Sequence, residues 1–261
     1  DRAEGAKYKN LPSGGRYSQT VVEIFNWQHF TTFDQEVPKH WANTNAKTFA
    51  MSSDNHNTWY MQPSVALTRL NVFSQSFAVE LTSVAFDPHG KPIPDYTQTG
   101  TPYLDYSPIV PDIAYRAAGK LFLGRYTFDP ATVQESYVEG LEWNSRPASL
   151  NGYYCYYPVE TDRSDCGLVT VEVLGAGEDG ETVIASGSQR LTLAMSYTAF
   201  SVPLNYEKFG VKATRIKVMF SSSAHAGTIE EETARVRTVS NLMSATSIGG
   251  KLWIDNITLA Y

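Results

Sequence analysis

Hydrophobic and polar residues alternate with a period of two over much of this chain, the signature of strands with one face on a core and one toward water. Phe77, Val79 and Leu81 interleave with Ala78, Glu80 and Thr82. Val169, Val171 and Val173 interleave with Thr170 and Glu172, and Ile216, Val218 and Phe220 with Arg215, Lys217 and Met219. Phe200, Val202 and Leu204 form a further set, and alternation also marks Lys120–Phe128. Turn-forming stretches at Gly175–Gly180, Asn205–Gly210 and Ser221–Gly227 separate them. No segment longer than two turns keeps a 3.6-residue period with caps, and Glu230–Val239 suits a short helix or a polar loop. The expectation is an all-β fold, a sandwich of two packed antiparallel sheets with little helix.

The last strand carries a finer signal. Leu252 and Ile254 share one face, and so do Ile257, Leu259 and Tyr261, but the step from 254 to 257 is odd. Either the strand bulges at Asp255–Asn256 or its core face changes; a bulge keeps both hydrophobic sets in one core. Trp253 then lies on the opposite face.

The N-terminal half is less regular. Residues 1–18 are polar and predict a loop or extension. Residues 19–261 predict a single elaborated sandwich, because Glu23–Phe30 and Ser76–Val84 alternate like the rest. Residues 87–111 hold six of the thirteen prolines, which predicts a long irregular excursion. Long ordered loops often carry function.

Composition narrows the function classes. The net charge is −6 with no basic stripe, which argues against nucleic acid. No apolar run approaches the ~20 residues of a membrane-spanning helix. The five histidines are dispersed, with no H-x-H or H-E-x-x-H spacing, which argues against a catalytic metal. Neither a nucleophile-elbow nor a phosphate-loop motif is found. Glu139, Glu142 and the run Glu230–Glu232 read as solvated acids rather than a catalytic pair.

Two cysteines, Cys155 and Cys166, flank the polar stretch Val159–Asp165 between two strand-like segments. A cross-strand disulfide near the mouth of one hairpin is geometrically reasonable and would imply an oxidising compartment; two free thiols are the alternative. The chain opens at Asp1, consistent with a cleaved leader or a trimmed start. A secreted, periplasmic or outer-surface location is the expectation.

The sixteen tyrosines and five tryptophans suit both pleated packing and stacking on sugar rings. A sugar platform needs an aromatic face with amides, carboxylates or arginine nearby. Trp59, beside Asp54, Asn55 and Asn57, is one candidate. Tyr103 and Tyr106, with Asp105 in the proline-rich excursion, are a second, and Trp143 ahead of Arg146–Pro147 is a third.

Two longer stretches, LEWNSRPASLNGYYCYYPV over Leu141–Val159 and GKLWIDNITLAY over Gly250–Tyr261, with VIASGS, YTAFSVPLNY and KATRIKVMFSSS between them, resemble the bacterial family called the putative carbohydrate metabolism domain. The resemblance is strong over Lys120–Tyr261 and weaker over Glu23–Thr82. It implies a galactose-binding-like jelly roll in a cell-surface or periplasmic protein of polysaccharide-degrading bacteria, with polysaccharide or oligosaccharide as partner. It supplies no catalytic residues. Related jelly rolls hold a structural calcium between an acid of the opening strand and an aspartate of the terminal one. Here Asp255 matches the terminal aspartate, Gln28 stands where the opening acid would be, and Asp34 is the nearest upstream carboxylate. No cofactor is otherwise required. The leading expectation is a non-catalytic glycan-binding module. The alternatives are a polysaccharide-active hydrolase or lyase, and a structural or adhesion domain.

Overall fold

The computed structural model describes residues 22–23, 40–48, 64–74, 77–86, 113–129, 132, 134–158, 163–177, 180–226, 233–235 and 250–261. In chain order the strands are β1 (Val22–Glu23), β2 (Trp41–Asn43), β3 (Val65–Thr68), β4 (Ala78–Thr82), β5 (Val84–Phe86), β6 (Ile113–Ala117), β7 (Lys120–Asp129), β8 (Gln134–Glu139) and β9 (Leu141–Glu142). They continue as β10 (Ser149–Tyr157), β11 (Gly167–Gly177), β12 (Gly180–Leu191), β13 (Ala194–Pro203), β14 (Asn205–Tyr206), β15 (Ala213–Ser221), β16 (Thr233–Arg235) and β17 (Lys251–Ala260). One helical turn, α1 (Asn45–Thr48), follows β2.

Two antiparallel sheets face each other as a jelly-roll-type sandwich. Sheet A runs β13-β10-β17-β4-β3, with β1 also on β17. Sheet B runs β14-β12-β11-β15-β7-β2, with β8 on β7 and β9 on β15. The expected alternation places the core. Val169, Val171, Val173, Ile216, Val218 and Phe220 of sheet B meet Val79, Leu81, Phe200, Val202, Leu252 and Ile254 of sheet A, all buried in one cluster. Each such side chain contributes about 1.5–3 kcal/mol relative to leaving it exposed.

The terminal strand resolves its odd step by a bulge. Asn151 of β10 pairs with Thr258, but Tyr153 pairs with Asp255, so β17 carries an extra residue there. Asn256 adopts φ +51° at that point. Asparagine tolerates this left-handed conformation better than most side chains. Leu252, Ile254, Ile257 and Leu259 consequently all reach the core.

A third, small sheet, β16-β6-β5, brackets the irregular parts of the chain. β5 and β6 pair directly, Phe86 opposite Tyr115, so the proline-rich stretch 87–111 leaves and returns through neighbouring strands; that stretch itself lies outside the described residues. Within Glu230–Val239, Thr233–Arg235 forms β16 on β6 rather than a helix or loop. The backbones crowd where this sheet meets the sandwich. A Cβ on Gly119 would sit 2.4 Å from the Ser64 carbonyl oxygen and 2.7 Å from the Thr82 nitrogen. Asn45 pins the start of β3 beside it, its Oδ1 accepting from the Val65 amide at 2.9 Å and its Nδ2 donating to the Val65 carbonyl at 2.7 Å.

The disulfide expected between Cys155 and Cys166 is not formed; both thiols are free and buried. β10 and β11 are successive strands but belong to opposite sheets, so no hairpin brings the two sulfurs together. Cys155 Sγ donates to the Ala194 carbonyl at 2.9 Å. Cys166 Sγ accepts from Arg190 Nε at 3.1 Å.

Candidate functional site

The outward face of sheet A concentrates the aromatic and hydrogen-bonding side chains. β10 contributes tyrosines to both of its faces: Tyr154 and Tyr156 enter the core, while Tyr153 and Tyr157 alternate outward. Strand pairing sets the rows. Trp253 of β17 stands between Glu80 of β4 and Cys155 of β10. Lys251 stands between Thr82 and Tyr157, and Asp255 lies beside Tyr153.

The Trp253 row is held by directed bonds. Trp253 Nε1 donates to Glu80 Oε2 at 2.9 Å. Lys251 Nζ and Thr82 Oγ1 both donate to Glu80 Oε1, each at 3.2 Å. The Tyr157 ring meets the half-buried indole edge-on, with centroids 5.5 Å apart. Tyr157 is 37% exposed, and its hydroxyl donates to the Met195 carbonyl at 2.9 Å. An aromatic pair with polar groups fixed alongside offers apolar area and hydrogen-bonding groups on one rigid surface.

The next row is a wall. The loop between β3 and β4 crosses the face, and Asp255, 1% exposed, holds it down. Asp255 Oδ2 accepts from the Phe73 and Ser74 amides, both at 3.0 Å, and Oδ1 accepts from the Asn256 amide at 2.7 Å. Phe73 then stacks on Tyr153 with centroids 3.8 Å apart, and Tyr197 of β13 donates its hydroxyl to the Asn71 carbonyl at 2.9 Å. Burial pushes the Asp255 carboxyl above its ordinary value, outweighing the amide bonds from Ser74, Asn256 and Phe73. Burial likewise pushes up the Tyr197 phenol, helped by the negative charge of Asp255 nearby and, less strongly, by Cys155 and Glu80.

The expected site residues are only partly placed. Trp59, Tyr103, Tyr106 and Asp34 lie outside the described residues. Trp143 belongs to the hydrophobic core at 8% exposure, so its ring offers no face to a ligand, which corrects its place as a platform. The Asp255 oxygens are met by three amide N–H donors, from Phe73, Ser74 and Asn256. Among the described residues there is no group of three or more histidine, cysteine, aspartate or glutamate side chains suited to a metal. No described helix is long and apolar enough to cross a membrane.

The alternation alone assigns Trp253 to the outward face but does not single out its neighbours Glu80, Tyr153, Tyr157 and Tyr197. The signal available was YYCYY itself, since a strand with aromatics at consecutive positions must display some of them away from the core.

No protein-family model matches the chain, and no curated protein matches it. Several solved structures are similar. One is a putative glycoside hydrolase from Bacteroides thetaiotaomicron, 16% identical with a TM-score of 0.49, covering 85% of this chain and 62% of that one. A second is a putative glycoside hydrolase from Bacteroides vulgatus, 16% identical with a TM-score of 0.48, covering 76% and 78%. A third is TmCBM61 in complex with β-1,4-galactotriose, 11% identical with a TM-score of 0.34, covering 85% and 88%. The chain thus spans less than two thirds of the length of the first of these.

Proposed function

We propose that this protein is a carbohydrate-binding module that takes glycan on the outward face of sheet A without cleaving it. The observation that carries the reading is the Glu80–Trp253–Tyr157 row, an aromatic pair and a carboxylate locked together on adjacent strands. A rigid aromatic surface with fixed hydrogen-bonding groups loses little entropy when a sugar ring settles on it. Binding without cleavage suits the carboxylates of this face. A glycosidase places two carboxyl groups about 5–9.5 Å apart across the bond it breaks, both able to reach it. Asp255 is sealed beneath the Phe73 loop with three amides on its oxygens. The setting proposed with this reading is a bacterial surface or periplasmic one.

Affinity electrophoresis against a panel of polysaccharides tests the reading. The protein is expected to be retarded by at least one of them, and Trp253→Ala and Tyr157→Ala are each expected to weaken that retardation about tenfold or more while circular dichroism stays unchanged. Retardation that survives both substitutions would place binding elsewhere.

A further inference from the structure

The donors around Glu80 leave one of its acceptor positions open on the outward face of sheet A. We infer that the face selects uncharged polysaccharides and rejects those carrying uronic acids; this rests on the glycan-binding reading above. A carboxylate offers about four lone-pair sites, two on each oxygen. Glu80 Oε1 receives two donors, Lys251 Nζ and Thr82 Oγ1, and Oε2 receives one, Trp253 Nε1. The place left is on Oε2, beside the indole, and the Glu80 side chain is 25% exposed. A sugar hydroxyl lying against Trp253 can donate there. A sugar carboxylate has no proton to donate at neutral pH and meets the Glu80 charge instead.

The basic side of the site is already committed. At the described outward positions of β3, β4, β10, β13 and β17, Lys251 is the single basic residue, and its ammonium is paired with Glu80 at 3.2 Å. Arg69, in the loop after β3, lies over the Phe77 ring at 4.4 Å from its centroid. Against that one lysine stand two carboxylates, Glu80 and Asp255. Both add to the upward push that burial gives the neighbouring Tyr197 phenol. The chain as a whole carries −6. Recognition of a carboxylate favours an uncommitted arginine or lysine. The described part of this face provides a hydrogen-bond acceptor instead.

Matched polymers separate the possibilities. The full chain is titrated calorimetrically with mixed-linkage β-glucan and with β-1,4-galactan, and then with the same polymers after their C6 hydroxymethyl groups have been oxidised to carboxylates. The expected result is binding to a neutral polymer, at least tenfold weaker binding to its oxidised form, and an affinity for the neutral polymer that changes less than twofold between 50 and 500 mM NaCl. Glu80→Gln is expected to weaken neutral binding about tenfold, the loss of one hydrogen bond to a charged group, and to narrow the gap between the two forms. Stronger binding of an oxidised polymer, or neutral binding unaffected by Glu80→Gln, overturns the inference while leaving the glycan-binding reading in place. No binding of either form of either polymer overturns the inference, and failure across the wider electrophoresis panel overturns the reading beneath it.

Discussion

The two outward faces of the sandwich are built by the same alternation and finished differently. Sheet A presents Trp253, Tyr157, Tyr153 and Tyr197, with Glu80 bonded into their midst. Sheet B presents charges that pair with one another: Lys217 lies 3.4 Å from Glu139 and 3.9 Å from Glu172, and Arg215 lies 2.9 Å from Glu181. Each of those side chains is about a third exposed or more, so each pair adds little to stability and keeps the face wetted. The core positions of the two sheets are interchangeable in kind. The difference lies in the residues between them: aromatic rings around Glu80 on sheet A, and ion pairs on sheet B beside the Tyr126–Tyr137 pair of its β7–β8 hairpin.

The sheets differ too in where their strands come from. From the residues before Lys120, sheet A takes β1, β3 and β4, whereas sheet B takes only β2. Truncation to Lys120–Tyr261 should therefore have the largest effect of any change considered. It strips β17 of β4 and uncovers Leu252 and Ile254, and the fragment is expected to show no cooperative thermal transition by circular dichroism. A fragment that melts cooperatively would mean that sheet B and half of sheet A suffice.

A smaller contrast comes from single acids. Asp255→Ala leaves three amides without their acceptor, and a loss of about 3 kcal/mol in urea unfolding is expected. Glu172→Ala on sheet B is expected to stay within about 0.5 kcal/mol in the same assay. Equal losses would erase the distinction between the faces. Tyr153→Ala should cost about 1 kcal/mol of ring stacking beyond its burial and expose the Phe73 loop to limited proteolysis, read by the appearance of a cut within residues 69–74.

Acid titration gives the smallest effect and one of opposite sign in two places. Burial raises the Asp255 pKa above 3.8, so the folded state holds that proton more tightly than the unfolded chain. Its contribution is present below the ordinary aspartate range and is lost as pH rises through the raised value. Glu135, on the β7–β8 hairpin of sheet B, behaves in reverse. Burial pushes it up, but hydrogen bonds from Lys47 and Tyr137, the Lys47 charge and a bond from Tyr126 together hold it below 4.5. Its contribution is present above that value and lost as pH falls through the lowered one. Glu135→Gln should be less stable than the parent at pH 7, with the gap closing below pH ~4 in urea midpoints measured across the range. A gap that stays constant would remove Glu135 from the account.

How much was legible in the sequence depended on how local the cause was. The strands around Val171, Val218 and Val202 announced themselves, because burial on one side of a pleat writes a two-residue rhythm into the chain. The bulge at Asp255–Asn256 was legible for the same reason, as a break in rhythm between Ile254 and Ile257. Pairing across long separations leaves no such mark. Cys155 and Cys166 are close in sequence and suggested a hairpin, yet the chain crosses from one sheet to the other between them. Thr233–Arg235 is too short to show alternation, and its place on β6 is fixed by a strand over a hundred residues earlier. The Glu80–Trp253 contact joins residues 173 apart in the chain, and only the register of β4 against β17 brings them together.

The pairing of β5 with β6 has a bearing on how such a chain can be altered. Phe86 and Tyr115 are neighbours across a ladder, so the two ends of the proline-rich stretch are already clamped side by side before its residues are counted. Closing a longer or shorter segment over that clamp changes the entropic cost only logarithmically. The site is thus a natural socket. A shorter or longer segment could then be joined to Phe86 and Ile113 without moving the ends of the β5–β6 ladder apart. Lineages that vary this stretch freely, and engineers who graft onto it, would be using the same joint.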